Sequence, residues 1–309
     1  MTRIPDVSVI IVNWNSLELT SSAIRSLQEQ TKDIDFEVIL VDNGSTRDSS
    51  AVELELRFPE VTMIKNPDNR GFSKACNQGL AVARGEYLLL LNSDTLQIEN
   101  ALDKAVKYMK QYTDIGVLGI RHLNNDPARS LQASVSEFPD PWAEVLNILG
   151  WSGAGASISE SSPSEARDVD WVCGSFLMMR RHCLANTGSL DERYFVYDED
   201  IDWCLRAKKA GWRVHFWPGT CLIHLGAASN LLMKDKTFAH FRSRLTYIRR
   251  HHSLFSAGAY YLAVGLRLTG ATAIQVWRYI FGMNSSSDVR ERYERQRRFL
   301  FLRSTRSGC

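Results

Sequence analysis

Four acidic side chains fall within five residues at Asp198-Glu199-Asp200-Ile201-Asp202. Such density costs electrostatic repulsion unless a proton or a cation relieves it, so the cluster points to acid–base or cation-binding chemistry. The alternative for some of the four is an acidic first turn favoured by the helix dipole. Asp198 would then cap a helix over Glu199–Ala210 that stops at Gly211. A second carboxylate, Asp94, closes the tripeptide Asn92-Ser93-Asp94 directly after the apolar run Tyr87–Leu91. His224 comes after another apolar run, Cys221-Leu222-Ile223, and on spacing alone it reads as a satisfied core histidine rather than as a metal ligand.

These groups need elements to hold them. Val7–Val12, Glu37–Val41, Val61–Ile64 and Tyr87–Leu91 are short, unalternating apolar runs, as expected of strands buried on both faces. Leu17–Gln30, Ser49–Phe58 and Lys74–Ala83 between them have helical periodicity. Strand–helix alternation predicts an α/β fold with a doubly wound, mostly parallel sheet, whose ligands bind at the carboxyl ends of the strands. The loops at those ends are Asn13–Ser16, Asp42–Thr46, Asn66–Gly71 and Asn92–Asp94. Each loop alone could be a turn or a helix cap; four on one sheet edge suggest a site. The Ser/Gly-rich segment 151–165 reads as a loop within the same half, because strong motifs resume at Trp171.

Composition bounds the class. The 309 residues are 44% hydrophobic and 23% charged, with 19 Gly, which disfavours disorder, collagen and a polytopic membrane protein. The net charge of +2 hides an asymmetry. Residues 242–309 hold 13 Arg, no Lys and 3 acids, a net of +10, against 24 basic and 32 acidic residues in the remainder, a net of −8. The six cysteines form no CxxC pair, and the first residues lack the charged and apolar regions of a signal peptide; a cytoplasmic protein is expected. The uncharged run Ser253–Leu266 is short of the roughly 20 residues of a spanning helix, and Arg267 and Arg278 interrupt the apolar residues beyond it.

Taken in order, VSVIIVNWNS, VILVDNGSTRDSS, NPDNRGFSKACNQGL, GEYLLLLNSDT, GSFLMMRR, LDERYFVYDEDIDWCLRAKKAGW and His224 with Ser229 make a specific combination. Over about 7–229 the chain resembles the family 2 inverting glycosyltransferases of GT-A fold, and most closely their rhamnosyltransferase-like bacterial branch. The resemblance implies that Asn13 and Trp14 lie beside the nucleotide base. Asp42 would accept a hydrogen bond from the base imide or the ribose, with Gly44 letting the backbone pass close. Arg70 and Gly71 match the family's nucleotide-side loop, followed by Phe72 and a structural Asn77. Asn92 stands where the family's metal motif has its first Asp, so Asn92 and Ser93 would contact the sugar while Asp94 and His224 hold Mg²⁺ or Mn²⁺. The family's Glu-Asp motif falls on Glu199 and Asp200. Asp200 is then the base, with Glu199 and Asp202 as supports or sugar ligands, and Asp191 and Glu192, just before the apolar Tyr194-Phe195, shape the acceptor wall.

The function expected is metal-assisted, inverting transfer of a sugar, L-rhamnose from dTDP-L-rhamnose or a hexose from a UDP donor, to a glycan or polyprenyl-linked acceptor. A pyrophosphorylase-like nucleotidyltransferase would begin with a Gly-rich basic loop, which Asn13-Trp14-Asn15-Ser16 is not. The other rival is a catalytically silent nucleotide-sugar-binding subunit, consistent with Asn92; the full acidic cluster weighs against it. Catalytic domain and extension are expected to divide at about 250. The helical, Arg-rich segment 251–309 either packs on the core or on a second copy in a homodimer, or rests peripherally on anionic lipid at the cytoplasmic face. No nucleic-acid recognition motif accompanies the basic tail.

Overall fold

The computed structural model describes residues 4–47, 50–151, 163–226, 236–280 and 293. Most of the Ser/Gly-rich segment and the Arg-rich stretch beyond 280 lie outside the described residues. The chain divides into two compact units, Met1–Phe138 with Ser157–Leu232, and Pro139–Ala156 with Met233–Cys309.

In the first unit the strands are β1 (Val7–Asn13), β2 (Phe36–Asp42), β3 (Thr62–Lys65), β4 (Tyr87–Asn92), β5 (Thr95–Gln97), β6 (Ile115–Leu123), β7 (Leu131–Gln132), β8 (Val135–Ser136), β9 (Arg167–Asp168), β10 (Trp171–Val172), β11 (Phe176–Arg180) and β12 (Arg213–His224). The helices are α1 (Leu17–Gln30), α2 (Ser50–Arg57), α3 (Phe72–Val82), α4 (Ala101–Gln111), α6 (Arg181–Thr187) and α7 (Glu199–Lys209). The main sheet runs β3-β2-β1-β4-β11-β6-β12-β5. The expected mostly parallel frame is present in β3-β2-β1-β4, where Val7 pairs Phe36 on one side and Tyr87 on the other. β11 then inserts antiparallel between β4 and β6, and β12 returns parallel to β6.

Strand alternation sorts the core into two layers. Val7, Val9 and Ile11 of β1 and Tyr87, Leu89 and Leu91 of β4 face Ile24 and Leu27 of α1, Leu54 of α2 and Leu102, Val106 and Met109 of α4. Ile10, Leu88 and Leu90 face Cys76 and Leu80 of α3, Cys183 of α6 and Trp203, Cys204 and Ala207 of α7. A sheet covered on both faces explains the unbroken apolar runs and leaves only its edges for polar chemistry. The chain crosses from β2 to β4 on opposite sides of β1, which opens a crevice at the carboxyl ends of β1 and β4.

The second unit contains α5 (Pro141–Ile148), α8 (Lys236–His251) and α9 (Leu254–Ile280). Asp140 caps α5 by accepting from Trp142 N (3.0 Å) and Ala143 N (2.8 Å), with Pro141 at the position that needs no donor. Ser253 breaks α8 from α9 and accepts from Ser256 N at 3.1 Å. Its core is small: Val145, Ile148, Phe241, Leu245, Ile248, Ala257, Tyr260, Ala263 and Val264. Helix α8 runs through residue 250 and belongs whole to this unit. No described helix is long and apolar enough to cross a membrane.

Candidate functional site

The β1 end is built around one buried amide. Asn13 Nδ2 donates to Asp42 Oδ1 (2.7 Å) and Ser45 Oγ (3.1 Å), while its Oδ1 accepts from Ser16 Oγ (3.0 Å) and Thr20 Oγ1 (2.7 Å). Asn13 is therefore fully committed within the protein and acts by fixing Asp42. The Asp42 carboxylate also accepts from Ser45 N (3.1 Å) and Ser45 Oγ (2.6 Å). Asn15, at φ 51°, accepts from Thr46 N and Arg47 N at 2.8 Å each and locks the same loop. Trp14 between them is half-buried.

A ring of side-chain amides carries the next loop. Asn43 Nδ2 donates to Asn69 Oδ1 (3.0 Å) and Gly71 O (3.2 Å); its Oδ1 accepts from Asn66 Nδ2 (3.1 Å) and Arg70 N (3.1 Å). Asn66 and Gln78 exchange two bonds of 2.8 and 2.9 Å. Gly44, at φ 75°, sits so close to this loop that a Cβ would fall 2.4 Å from the Asp68 carbonyl carbon. Gly71, at φ 86°, would meet the Phe195 backbone at 2.8 Å, and Phe72 N donates to Phe195 O at 2.6 Å. The Arg70 side chain has Nε 3.4 Å from Asp68. Asn77 clips α3 to Leu190 through its N–H and carbonyl, the structural part expected of it.

Asn92, Ser93 and Asp94 form the turn between β4 and β5, and β12 pairs with β5 so that His224 lies opposite Thr95. Leu225 N donates to Asp94 O at 2.9 Å. This brings His224 Nε2 to 3.4 Å from Asp94 Oδ1. The other ring nitrogen, Nδ1, is 2.7 Å from Gln132 Oε1. An amide oxygen only accepts, so Nδ1 donates to Gln132 and Nε2 is left facing the Asp94 carboxylate. A cation between them would take an unprotonated Nε2 and a carboxylate oxygen as ligands, and the Gln132 contact is the kind of outer partner that orients a ligating histidine. Among the described residues no group of three or more His, Cys, Asp or Glu is disposed to hold a metal alone. Further ligands would have to come from a bound molecule. Beside this pair, buried His122 has its ring 5.8 Å from His224 and its pKa driven down to about 3 by burial and the neighbouring imidazole.

The acidic cluster begins on strained backbone. Tyr197 and Asp198 have φ of 70° and 63°, and Asp198 takes the N-cap position of α7 without a capping side-chain bond. The left-handed pair instead throws the first turn of α7 toward the sheet edge. There Asp200 Oδ2 accepts from Gly174 N and Oδ1 from Ile201 N, both at 2.9 Å. Burial outweighs these donors and pushes the Asp200 carboxyl up to about 6. Glu199 is 6% exposed, its Oε2 has no hydrogen-bond partner among the described residues, and burial with the adjacent Asp200 charge raises its pKa. Asp202 is wholly buried and its carboxylate is taken by Arg206 Nε (2.8 Å) and Tyr194 OH (3.4 Å). Tyr194 is accordingly core, and Asp191 is bridged by Arg193 at 2.6 Å.

Thus Asn13, Asp42 and Gly44 meet at the β1–β2 ends, Arg70 and Gly71 join them through Asn43, and Asp94 pairs with His224. Ser175 O accepts from Asn92 N (3.3 Å) one residue after Gly174 holds Asp200. Gln132 and His122 do not stand out in the sequence, whereas Asn43, Asn66, Asn69, Gln78 and Gly174 lie in the loops and motifs singled out there but carry no sign of which partners they hold.

Residues 8–154 match the family described as Glycosyl transferase family 2. The match to that family thus spans just under half of the chain. It is similar to the N-acetylglucosaminyl-diphospho-decaprenol L-rhamnosyltransferase of Mycobacterium tuberculosis, 29% identical over 238 residues that cover 70% of this chain and 75% of that one. It is also similar to the rhamnosyltransferase WbbL of Escherichia coli, 32% identical over 176 residues, 56% of this chain and 65% of that one. Among solved structures the S. aureus TarS crystal structure shares the fold, with a TM-score of 0.53 at 17% identity; the match covers 85% of this chain and 42% of that one.

Proposed function

We propose that the protein transfers L-rhamnose from dTDP-L-rhamnose, with inversion, to a hydroxyl of a glycan or polyprenyl-linked saccharide. The nature of the donor and acceptor rests on likeness to the two rhamnosyltransferases. The observation that carries the chemistry is Asp200: a carboxylate aimed by two backbone N–H groups and poised near neutrality by burial. A base of that pKa is mostly ionised at pH 7 yet still basic enough to take a proton from the acceptor hydroxyl as it attacks the anomeric carbon. Negative charge on that face also favours an electron-poor anomeric carbon.

Trp14 supplies an aromatic face and Asp42 an acceptor for the nucleotide, while Gly44 and Gly71 keep the loops close enough for backbone contact. Asn92 and Ser93 offer neutral polar groups to the sugar. Asp94 and His224 would hold a divalent cation, Mg²⁺ or Mn²⁺, completed by the donor diphosphate; when bound it supplies charge to offset that on the leaving group. With Asn92 neutral, the protein contributes one carboxylate here.

The test is transfer from a panel of dTDP- and UDP-sugars to a saccharide acceptor, with the anomeric configuration of the product read by NMR. Inverted rhamnoside formed from dTDP-L-rhamnose is expected. Retention of configuration would remove Asp200 from its role, and a UDP-hexose used in preference would overturn the donor assignment.

A further inference from the structure

Helix α9 is apolar on two sides. Ser256, Ala257, Tyr260, Ala263 and Val264 face inward. On the opposite side Phe255, Leu262 and Leu266 recur at intervals of seven and four residues and so share one stripe at about 100° per residue; they are 76%, 65% and 66% exposed. The stripe continues onto α5 of the same unit: the rings of Trp142 and Phe255 stand 5.7 Å apart, Trp142 is half-exposed, and Trp151 just beyond α5 is 71% exposed. Soluble surfaces rarely carry so many large apolar groups together without a partner.

Charge says what that partner is. Residues 236–280, which span α8 and α9, contain seven Lys or Arg and no Asp or Glu. On α5, Glu144 is already paired with Arg244. Arg249 and Arg250 are exposed at the end of α8, one turn before Leu254 and Phe255. Asp140 is exposed at the start of α5, but tryptophan, phenylalanine and leucine bordered by arginine, with no acid on α8 or α9, is the pattern of a face that lies in a lipid headgroup layer. A nucleic acid would match the arginines and leave the Trp142, Phe255, Leu262 and Leu266 side chains without a function. No described helix can cross a bilayer, so the contact is along the surface.

We infer that the joint face of α5 and α9, from Trp142 to Phe255, Leu262 and Leu266, is a docking surface for an anionic lipid bilayer, with Arg249 and Arg250 as its electrostatic guides. Such docking is separate from the transfer reaction and does not depend on it. The apolar contact includes α5 and lies ahead of the Arg-rich tail in the chain.

The experiment is co-sedimentation of the full chain with phosphatidylcholine vesicles, with and without phosphatidylglycerol, alongside tryptophan emission. The full chain is expected to sediment with the anionic vesicles, to shift its emission to shorter wavelength, and to release as salt shortens the screening length. Phe255→Glu with Leu262→Glu should cut partitioning at least about tenfold at both salt levels. Arg249→Gln with Arg250→Gln should cost at least about fivefold at low salt and little at high salt. Both pairs are exposed, so an unchanged melting temperature is expected. Absence of sedimentation with anionic vesicles would overturn the inference. So would a native dimer that the Phe255→Glu, Leu262→Glu pair dissolves, which makes the face an interface between copies, or tight RNA binding that the same pair leaves intact. Since no donor or acceptor enters the assay, failure here leaves the transfer reaction untouched.

Discussion

The N–H of Gly174 donates to Asp200 Oδ2 at 2.9 Å, and the next residue, Ser175, accepts from Asn92 N at 3.3 Å. One dipeptide at the entry to β11 therefore sets the spacing between the acidic turn of α7 and the Asn92–Asp94 turn. β11 is antiparallel to β4, so its first residues lie at the carboxyl end of β4. A Cβ at Gly174 would stand 3.6 Å from Asp200 Oδ2, an ordinary contact, so the position holds Asp200 through its N–H rather than by needing a glycine.

Asp200→Asn should lower turnover by at least about 10² while nucleotide binding stays near wild type. In the native protein kcat/KM should rise with pH through about 6 and level off above it, because only the ionised carboxylate accepts a proton. Stability should move the other way. A carboxyl whose folded pKa lies above its unfolded value binds more protons in the folded state between about 4 and 6, so stability falls as pH rises across that window. The Asn variant removes that charge but turns an amide NH2 toward one of the two backbone donors, Gly174 N or Ile201 N, so its test is the pH dependence rather than the melting point itself: the fall in stability between about pH 4 and 6 should be lost. Wild-type turnover in the purified variant would show that Asp200 is not the base, and an unchanged pH dependence of melting would show that its carboxyl is not the raised one.

At the other turn, Gln132 is the test of how His224 is held. Replacing Gln132 by Leu leaves Nδ1–H without its acceptor and lets the ring choose the other tautomer, so Mn²⁺ affinity in the presence of a nucleoside diphosphate should fall about tenfold or more. Gln132→Glu keeps the acceptor and should retain most of the affinity. His224→Ala should cost more than either. Electron paramagnetic resonance of free Mn²⁺ reads all three without any turnover, and equal affinity in wild type and His224→Ala would discard the cation between Asp94 and His224.

What could be read from sequence depends on what repeats. Val7–Asn13, Phe36–Asp42 and Tyr87–Asn92 are apolar on both faces, and the helices between them fall where periodicity predicts them. Strand insertion was not legible: Phe176–Arg180 looks the same whether it runs parallel or antiparallel. Among the site residues, Asp200, Asp94 and His224 stood out by type and motif. Gln132 did not, and Asn43 lies in a singled-out loop without any sign of its role, because an amide's importance lies in its partners, 92 residues away for Gln132 and His224. Asp202 shows the converse, since the motif that marks it says nothing of Arg206 one turn on, which takes its carboxylate.

The Asn43 amide makes four hydrogen bonds at the β2 end, giving two to Asn69 and Gly71 and receiving two from Asn66 and Arg70. Asn43 is 2% exposed, so water does not replace what a truncation removes. Asn43→Ala should cost about 2–3 kcal/mol, the penalty of leaving buried donors and acceptors unmade. Asn43→Asp preserves shape and the two acceptor roles but sets carboxylate oxygen against Asn69 Oδ1 and Gly71 O, so it should cost at least as much at pH 7 and less once acid protonates it. Gly44→Ala acts on the same junction by a different route, forcing a Cβ into the Asp68 backbone at a φ that L-residues seldom adopt. Because both changes release the 66–71 loop, the double variant should lose less than the sum of the single losses, and all three should weaken nucleoside diphosphate binding in thermal-shift titrations. Strict additivity of the two losses would mean that Gly44 and Asn43 hold the loop independently.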